Sequence, residues 1–303
     1  MMGEIFYWLF NMSITASLSG IVVLLIGKIP KLPRRFAYIL WLIPFIRMWV
    51  PIGVSGKYSL MSLISKATTK TVWIARTPYE MSMTNYVMAA DTYFPVTYKI
   101  DTIGNIFKAA SIIWLIGAVA MIAAIFVLYF TAKMQVGDAQ LFCENIYFSD
   151  KLSSPAVYGI FRPRIILPQG YKGKKLDYIL AHERAHIKNC DNLWRIIAFV
   201  TAAVHWFNPL AWLFLKKFLE ETELACDERV ICNYSESERK DYANALVDCA
   251  ESRNIFASAF GGAKIHLRIN NILSYRKLTI ISAIFFSVLF IAIGYVLLTN
   301  AAL

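Results

Sequence analysis

Long apolar runs separated by short polar segments dominate the pattern of hydrophobic positions along this chain. A helix needs about 20 predominantly apolar residues to cross a bilayer. Four runs reach about this length, so the pattern predicts four transmembrane helices. They cover residues 5–27, 36–54, 106–131 and 278–299. The long segment 132–277 is more polar, and we expect it to form a domain inserted between the third and fourth helices.

The composition agrees with a membrane protein whose main partner is the lipid bilayer. Hydrophobic residues make up 58% of the chain and charged residues 17%, whereas soluble domains average about 45–50% and about 25%. The formal net charge is +11. In a membrane protein such an excess lies beside the spans and sets their orientation. The sequence contains no Gly-rich phosphate loop and no basic helix with interleaved aromatics, so we expect no direct nucleic acid binding.

The short loop between the first two runs fixes the predicted orientation. It carries Lys28, Lys31, Arg34 and Arg35 without an acid, and the positive-inside rule places such a loop in the cytoplasm. Both termini of a multi-pass protein of the cell membrane then lie outside. The predicted parts are a three-helix region at 1–131 with an extracellular loop at 55–105, a cytoplasmic domain at 132–277, and a fourth helix with a short tail at 278–303.

All five cysteines lie in the segment assigned to the cytoplasm, where thiols stay reduced. None belongs to a CxxC pair, so we expect no disulfide and no cysteine-based metal site. Arg47 is the one charge inside the second predicted span. Charged residues within a span usually face the bundle interior. Arg47 could therefore have a functional role there, or it could bind a structural partner.

The motif that carries chemistry is His182-Glu183-Arg184-Ala185-His186, an HExxH. Residues four apart share a helix face, so the two imidazoles can bind one zinc ion. Glu183 is then placed to act on a water as a general base without binding the metal. A surface helix with a salt-bridging glutamate is the alternative. The zinc interpretation is favoured because the chain has four histidines and two of them lie here.

A third zinc ligand is expected from a downstream helix with five acidic residues. Glu223 and Asp227 are four apart, so Glu223 could bind zinc while Asp227 orients a ligand histidine. Glu220 also shares a face with Glu223, so the spacing leaves the choice between them open.

Residues 193–215 have the length of a further span, but a single crossing there would separate His186 from Glu223. Asn208-Pro209 resolves the conflict, because Asn is a good N-cap and Pro is tolerated at the first helical position. We therefore predict two helices, about 192–206 and about 209–232, forming a hairpin buried in the domain or dipping into the inner leaflet. His205 in this hairpin could stabilise an oxyanion or be a buried structural residue. Asp191 is expected to be an N-cap rather than a support for the metal site.

Two short β-rich runs, 156–161 and 164–167, predict a strand pair upstream of the motif. An edge strand beside a zinc helix could hold an extended peptide by β-augmentation. A purely structural hairpin is the equal alternative.

Taken together, these motifs resemble a known family. The HExxH, His205-Trp-Phe-Asn-Pro-Leu and Glu223-Leu-Ala-Cys-Asp227 are similar to the integral-membrane gluzincins of the BlaR/MecR type, the β-lactam-responsive antirepressor proteases. The strand region, with Pro155, Gly159, Pro163 and residues 165–168, is similar as well. The resemblance implies a mainly α membrane protein with four transmembrane helices and a cytoplasmic α+β gluzincin metalloprotease domain. It also supports Glu223 as the third zinc ligand, with Asp227 and His205 near the site.

The resemblance implies a zinc metalloendopeptidase that responds to an extracellular or envelope signal. Its expected substrates are a cytoplasmic winged-helix repressor, the chain itself near 258–264, or both, and a homodimer is a further expectation. A constitutive quality-control or processing protease and a non-cleaving transducer are the alternatives. β-Lactam sensors of this family carry a penicillin-binding domain after the fourth span, whereas this sequence ends at Leu303. Direct acylation by a β-lactam is therefore not expected.

Overall fold

The structure, a computed structural model, is mainly helical, and its helices and strands follow the apolar runs of the sequence. It describes residues 2–29, 32–50, 54–68, 86–87, 96–97, 101–152, 154–251 and 264–301. Most of the predicted loop 55–105 and the stretch 252–263, which holds nearly all of the predicted self-cleavage segment, lie outside these ranges.

The helices of the described chain differ widely in length. They are α1 (Met2–Ile26), α2 (Arg34–Leu40), α3 (Leu42–Trp49), α4 (Leu60–Thr68), α5 (Asp101–Gln135), α6 (Gly173–Lys188), α7 (Asp191–Val204), α8 (Pro209–Ile231), α9 (Glu236–Glu251), α10 (Ile265–Leu273) and α11 (Ile280–Leu298). The strands are short: β1 (Ser55–Gly56), β2 (Tyr86–Val87), β3 (Val96–Thr97), β4 (Gln140–Cys143), β5 (Ile146–Phe148), β6 (Ala156–Tyr158), β7 (Arg164–Leu167) and β8 (Asn300–Ala301).

Three helices of the described chain are long and apolar enough to cross a membrane. They are Met2–Ile26, Asn105–Met134 within α5, and Ile280–Leu298. The apolar side chains of α5 and α11 are largely exposed, as expected for helices that face lipid. The chain is therefore a membrane protein, and three of the four predicted spans correspond to these helices.

The second predicted span, 36–54, is different. Its described part forms α2 and α3, two short helices that meet at Trp41. Together they run over Arg34–Trp49, and about 16 residues at 1.5 Å each reach only ~24 Å, less than the ~30 Å hydrocarbon core. This segment is thus not among the three helices that qualify by length.

Arg47, the charge inside this segment, has structural partners. Its guanidinium is buried and donates to the carbonyl oxygens of Leu297 at 2.7 Å and Thr299 at 2.6 Å. These carbonyls lie at the C-terminal end of α11, where unpaired acceptors and the helix dipole favour a cation. Arg47 therefore ties α3 to the end of the last helix.

Helices α7 and α8 form the predicted hairpin. Asn208 is the N-cap of α8, with its side chain accepting a hydrogen bond from the Leu210 N–H at 2.9 Å, and Pro209 is the first helical residue. The tip extends further than expected, because Phe207 contacts Phe6 of α1 at a ring distance of 5.5 Å. Trp114 of α5 donates to the Val204 carbonyl at 2.8 Å. The tip thus packs against two of the helices that can cross a membrane.

A four-stranded sheet in the order β4-β5-β7-β6 packs against α6 through Ile179. β4 and β5 are antiparallel, β5 and β7 are parallel, and β6 pairs antiparallel with β7 through Val157 and Ile165. The predicted strands β6 and β7 are present, whereas β4 and β5 were not predicted. β6 is an edge strand, as the peptide-binding hypothesis requires.

Candidate metal centre

Helix α6 presents the two motif histidines on one buried face. His182 and His186 are 6% and 5% exposed, and Ile179 on the same face packs into the core beneath the sheet. Their Nε2 atoms lie 3.1 Å apart. The helical spacing predicted from the HExxH is therefore realised with both rings turned toward one point.

Helix α8 brings a carboxylate to the same point. Glu223 Oε2 lies 3.6 Å from Nε2 of His182, and Oε1 lies 3.7 Å from Nε2 of His186. Ligand atoms that hold zinc tetrahedrally at 2.0–2.1 Å are about 3.3 Å apart. The three side chains thus have the chemistry and the mutual spacing that a zinc ion requires.

The ring atoms on the far side are held by hydrogen bonds, which is typical of histidines that bind a metal. Nδ1 of His186 lies 2.7 Å from Oδ2 of Asp191, which is fully buried. The expectation that Asp191 is an N-cap was wrong: Cys190 is the residue before α7, and Asp191 lies inside the helix. The tight turn after α6 turns its carboxylate back toward the motif, where it fixes the His186 ring.

His182 is held by a tyrosine and a carboxylate. Its Nδ1 lies 2.8 Å from the hydroxyl of Tyr242, which donates to Oδ1 of Asp227 at 2.7 Å. Asp227 itself is 3.3 Å from Nδ1. An Nδ1–H that donates in this direction leaves Nε2 as the acceptor atom of the ring, and Nη2 of Arg268 lies 3.3 Å from it, where a metal would bind. The structure thus places Asp227 behind His182, one turn of α8 beyond Glu223.

Two arginines neutralise the carboxylates of the centre. Arg268 of α10 is 4% exposed, and both its Nε and Nη2 lie 2.7 Å from Asp227 in a bidentate pair. Its Nη1 lies 3.2 Å from Glu223, which Arg195 of α7 also contacts at 2.5 Å. Buried charges need such partners, since burial of an unpaired ion is costly. The arginines therefore fix the orientation of both carboxylates.

The pKa values follow from this packing. Burial opposes ionisation of Asp227, but the adjacent Arg268 and His182 lower the pKa of its carboxyl to about 2. Burial likewise opposes ionisation of Glu223, yet the two histidines and two arginines hold its pKa well below the usual range. Both groups are therefore anionic at neutral pH. Burial would lower the pKa of His186, but Cys226, Asp191 and Glu223 raise it to about 9.

Cys226 is a further sulfur donor close to the histidines. His182, His186 and Cys226 each offer a ligand atom within 4.8 Å of the others. However, the Cys226 Sγ lies 3.6 Å from Nδ1 of His182, on the side of the ring that faces Tyr242. The Glu223 carboxylate, 3.6 and 3.7 Å from the two Nε2 atoms, and this sulfur are thus the two candidates for a third ligand.

The remaining predicted site residues are placed as follows. Glu183 is buried on α6 next to His182. Glu220, the alternative ligand, pairs with Lys217 at 2.6 Å instead of turning to the histidines. His205 is buried after the last turn of α7, with its Nε2 3.2 Å from the Met48 carbonyl. Because α7 has 14 residues and is therefore about 21 Å long, the structure does not bring His205 to the centre.

An apolar cavity of about 420 Å³ adjoins the centre between α5, α7 and the edge strand β6. Arg195, which contacts Glu223, and Val157 of β6 both line it. The Asn192 amide donates to the carbonyl oxygens of Val157 and Gly159 at 3.1 Å each. One carbonyl of the edge strand and one of the turn after it therefore already accept hydrogen bonds from this chain's own Asn192 side chain.

Sequence reasoning missed Tyr242, Arg268 and Arg195. Arg268 is 86 positions from His182, so no local pattern connects them. One signal was present: Arg268 shares a helix face with Ile272, which is fully buried, and a cation on an apolar face needs a buried anion.

The comparisons with known proteins agree with this geometry. A family described as BlaR1 peptidase M56 matches residues 7–274. The regulatory protein BlaR1 of Staphylococcus aureus is 28% identical over 161 residues, which cover 48% of this chain and 28% of that protein.

Two further relatives match shorter parts. BlaR1 of Bacillus licheniformis is 27% identical over 128 residues, 40% of this chain and 21% of the relative. The methicillin resistance mecR1 protein of Staphylococcus aureus is 26% identical over 110 residues, 35% of this chain and 19% of the relative. The matched segments thus cover less than a third of each of these curated relatives.

Proposed function

The chain belongs to the BlaR1 peptidase M56 family, and we propose that it is a membrane zinc endopeptidase of the antirepressor signalling type. The observation that carries this proposal is the convergence of both Nε2 atoms and the Glu223 carboxylate, with separations of 3.1, 3.6 and 3.7 Å. A buried glutamate, Glu183, adjoins them. This is the set of groups that metal-assisted peptide hydrolysis needs.

His182, His186 and Glu223 would hold the zinc ion. Bound zinc supplies Lewis acidity and lowers the pKa of a coordinated water toward ~7. Glu183 takes the proton of the attacking water and passes it to the leaving amine. Asp191, Tyr242 and Asp227 keep the two imidazoles oriented, and the arginines keep the carboxylates ionised.

Glu183 distinguishes the protease from a non-cleaving transducer. Two histidines and a carboxylate suffice to bind zinc, so a purely structural site does not require a buried base beside His182. The cavity beside β6 is suited to an apolar side chain of a bound peptide. Pairing of the peptide backbone with β6 would require Asn192 to release the Val157 carbonyl. A constitutive processing protease would use the same site, but no signal would control its activity.

The proposed topology has four spans, with the catalytic domain inserted before the last. Helix directions support it. Gly3 of α1 lies beside Lys108 of α5, and Leu9 and Met12 pack with Trp114, which supports a parallel arrangement of these helices. Phe36 contacts Phe286, and Arg47 binds Leu297, so α2–α3 runs parallel to α11. Both termini would then lie outside and the catalytic domain in the cytoplasm, with α2–α3 as the short second span.

The proposed substrates are a cytoplasmic winged-helix repressor, the chain itself near 258–264, or both. They rest on the family resemblance, since the relatives are named regulatory and resistance proteins. Cleavage near 258–264 would separate the catalytic domain from α10 and α11, and with them from Arg268. A homodimer would fit such a signalling role.

The test is substrate profiling with the purified full chain in lipid vesicles. Proteome-derived peptides are incubated with the zinc-loaded chain, and new termini are identified by mass spectrometry. We expect cleavages that disappear after removal of the metal by a chelator and return with added zinc. Chelator-insensitive termini, or none at full zinc occupancy, would contradict the proposal.

A further inference from the structure

An exposed apolar surface lies close to the metal centre on the outward face of the catalytic domain. On α7, Leu193, Trp194 and Ile197 are each more than a third exposed. In the turn between β6 and β7, Phe161 is 94% exposed and Ile160 is 37% exposed. Contiguous apolar patches are uncommon on soluble monomers, and they mark sites that bind proteins or membranes.

Hydrogen bonds hold these two groups of residues together. The Asn192 side chain donates to the carbonyl oxygens of Val157 and Gly159. Asn192 directly precedes Leu193, and Gly159 directly precedes Ile160. Gly159 has a φ of +97°, and a Cβ there would approach the Arg162 carbonyl to 2.8 Å. The glycine turn and the amide thus fix the tip beside the outward face of α7.

The depth of this surface follows from α5. Residues 157–159 line the same cavity as Met121, Ile125 and Leu128, which belong to the membrane-crossing stretch Asn105–Met134. The turn is therefore level with the last apolar turns of α5. Tyr129, Phe130 and Lys133 follow there, and aromatic residues with a cation are typical of the membrane–water interface.

The charge near the tip is also suited to a lipid surface. Arg162 is exposed and follows Phe161 directly, and residues 156–167 include no acid. A basic side chain beside an apolar tip can extend toward lipid phosphates while the aromatic ring enters the acyl region. The surface is thus continuous with the lipid-facing side of α5 and carries the matching charge.

We propose that Ile160, Phe161, Leu193, Trp194 and Ile197 insert into the leaflet on the side of the metal centre. The bilayer then holds β6 at its surface. If the proposed proteolysis is right, peptides are bound where they lie against the membrane, so membrane-adjacent segments are the favoured substrates. Insertion itself does not depend on proteolysis, and its test reads lipid contact alone.

The test replaces Phe161 with the photoreactive analogue p-benzoylphenylalanine in the full chain. The protein is reconstituted in vesicles of phosphatidylcholine and phosphatidylglycerol and irradiated, and adducts are identified by mass spectrometry. Phe126 of α5, which is 62% exposed, is the lipid-facing control. Glu236 of α9, with a side chain 80% exposed, is the solvent-facing control.

We expect phospholipid adducts at position 161 at a yield close to that at 126, and at least about tenfold above that at 236. A yield at 161 no higher than at 236 would overturn the proposal. So would crosslinks from 161 to another part of the chain or to a second copy, since either would show that protein covers the tip.

Discussion

At the residue scale, the proposed metal binding depends on how the rings of His182 and His186 are oriented. Each Nδ1 meets a buried acceptor, the Asp191 carboxylate or the Tyr242 hydroxyl backed by Asp227. Because partners of this kind fix the tautomer and the ring plane, their loss weakens a metal site without removing a ligand.

The change Asp191→Asn tests this role. The amide keeps the shape but loses the negative charge that stabilises the His186 ring, so zinc affinity should fall by about 10–100-fold. Competition titration with a fluorescent zinc chelator measures it. Asp177→Asn, the same change at an exposed position of α6, is the control and should leave the affinity unchanged. A zinc affinity of the Asp191→Asn chain within about twofold of that of the original chain would refute this role of Asp191.

The identity of the third ligand can be tested by X-ray absorption at the zinc edge. Coordination by two histidines and Glu223 gives nitrogen and oxygen neighbours at about 2.0–2.2 Å, whereas a thiolate adds sulfur at about 2.3 Å. We expect no sulfur shell and the same spectrum for Cys226→Ser. A sulfur shell that disappears in Cys226→Ser would assign the third position to the cysteine instead.

The motif residues were predictable because their spacing is local. His182, Glu183 and His186 lie on one helix, and Glu223 and Asp227 are one turn apart on another. Asp191 was misassigned because its role depends on a turn that reverses the chain. Tyr242 and Arg268 were missed because tertiary packing alone brings α9 and α10 to the centre.

At the element scale, the hairpin α7–α8 connects the centre to the membrane helices. Its presence followed from Asn208-Pro209, but its depth did not, since depth is set by contacts with small residues elsewhere. A Cβ on Gly20 would lie 2.1 Å from the Phe214 ring, and one on Gly117 would lie 2.4 Å from the Trp206 indole. These two glycines leave the space in which the hairpin packs.

The change Gly20→Ala should therefore destabilise the chain. Phe214 is fully buried, so the added methyl forces a shift that typically costs about 1–3 kcal/mol. Thermal unfolding in detergent should show a midpoint lower by several degrees. Gly294→Ala is the control, because no atom lies within 4 Å of a Cβ at that position. Equal midpoints for the two variants would show that the hairpin does not depend on this packing.

Strands β4 and β5 show another limit of sequence reasoning. All four residues of β4 are exposed, so burial imposes no alternation on the pattern. Likewise α2 and α3 form one apolar run in the sequence, and their division at Trp41 is visible only in the structure.

At the scale of the whole molecule, the hairpin must enter and leave the membrane on the same side, because His186 and Glu223 meet. Thiol labelling of intact cells tests this, with the exposed native Cys143 and Cys190 replaced by serine. Lys188→Cys and Asn233→Cys, which flank the hairpin at exposed positions, should resist an impermeant maleimide. Lys57→Cys, which follows β1 in the loop that the proposed topology places outside, should react.

Permeabilised cells are the control, since both protected positions should then react. Labelling of one position but not the other in intact cells would mean that the segment crosses the membrane once. The two sides of the metal site could not then meet.

The most direct test of the account is peptide hydrolysis by the Glu183→Gln chain at zinc occupancy equal to that of the original protein. In the proposed mechanism, His182, His186 and Glu223 hold the zinc ion and Glu183 transfers the proton. Glutamine keeps the size but cannot accept the proton, so the rate should fall by about 10²–10⁴-fold with the zinc still bound. A zinc-loaded Glu183→Gln chain that cleaves at the original rate would contradict the account.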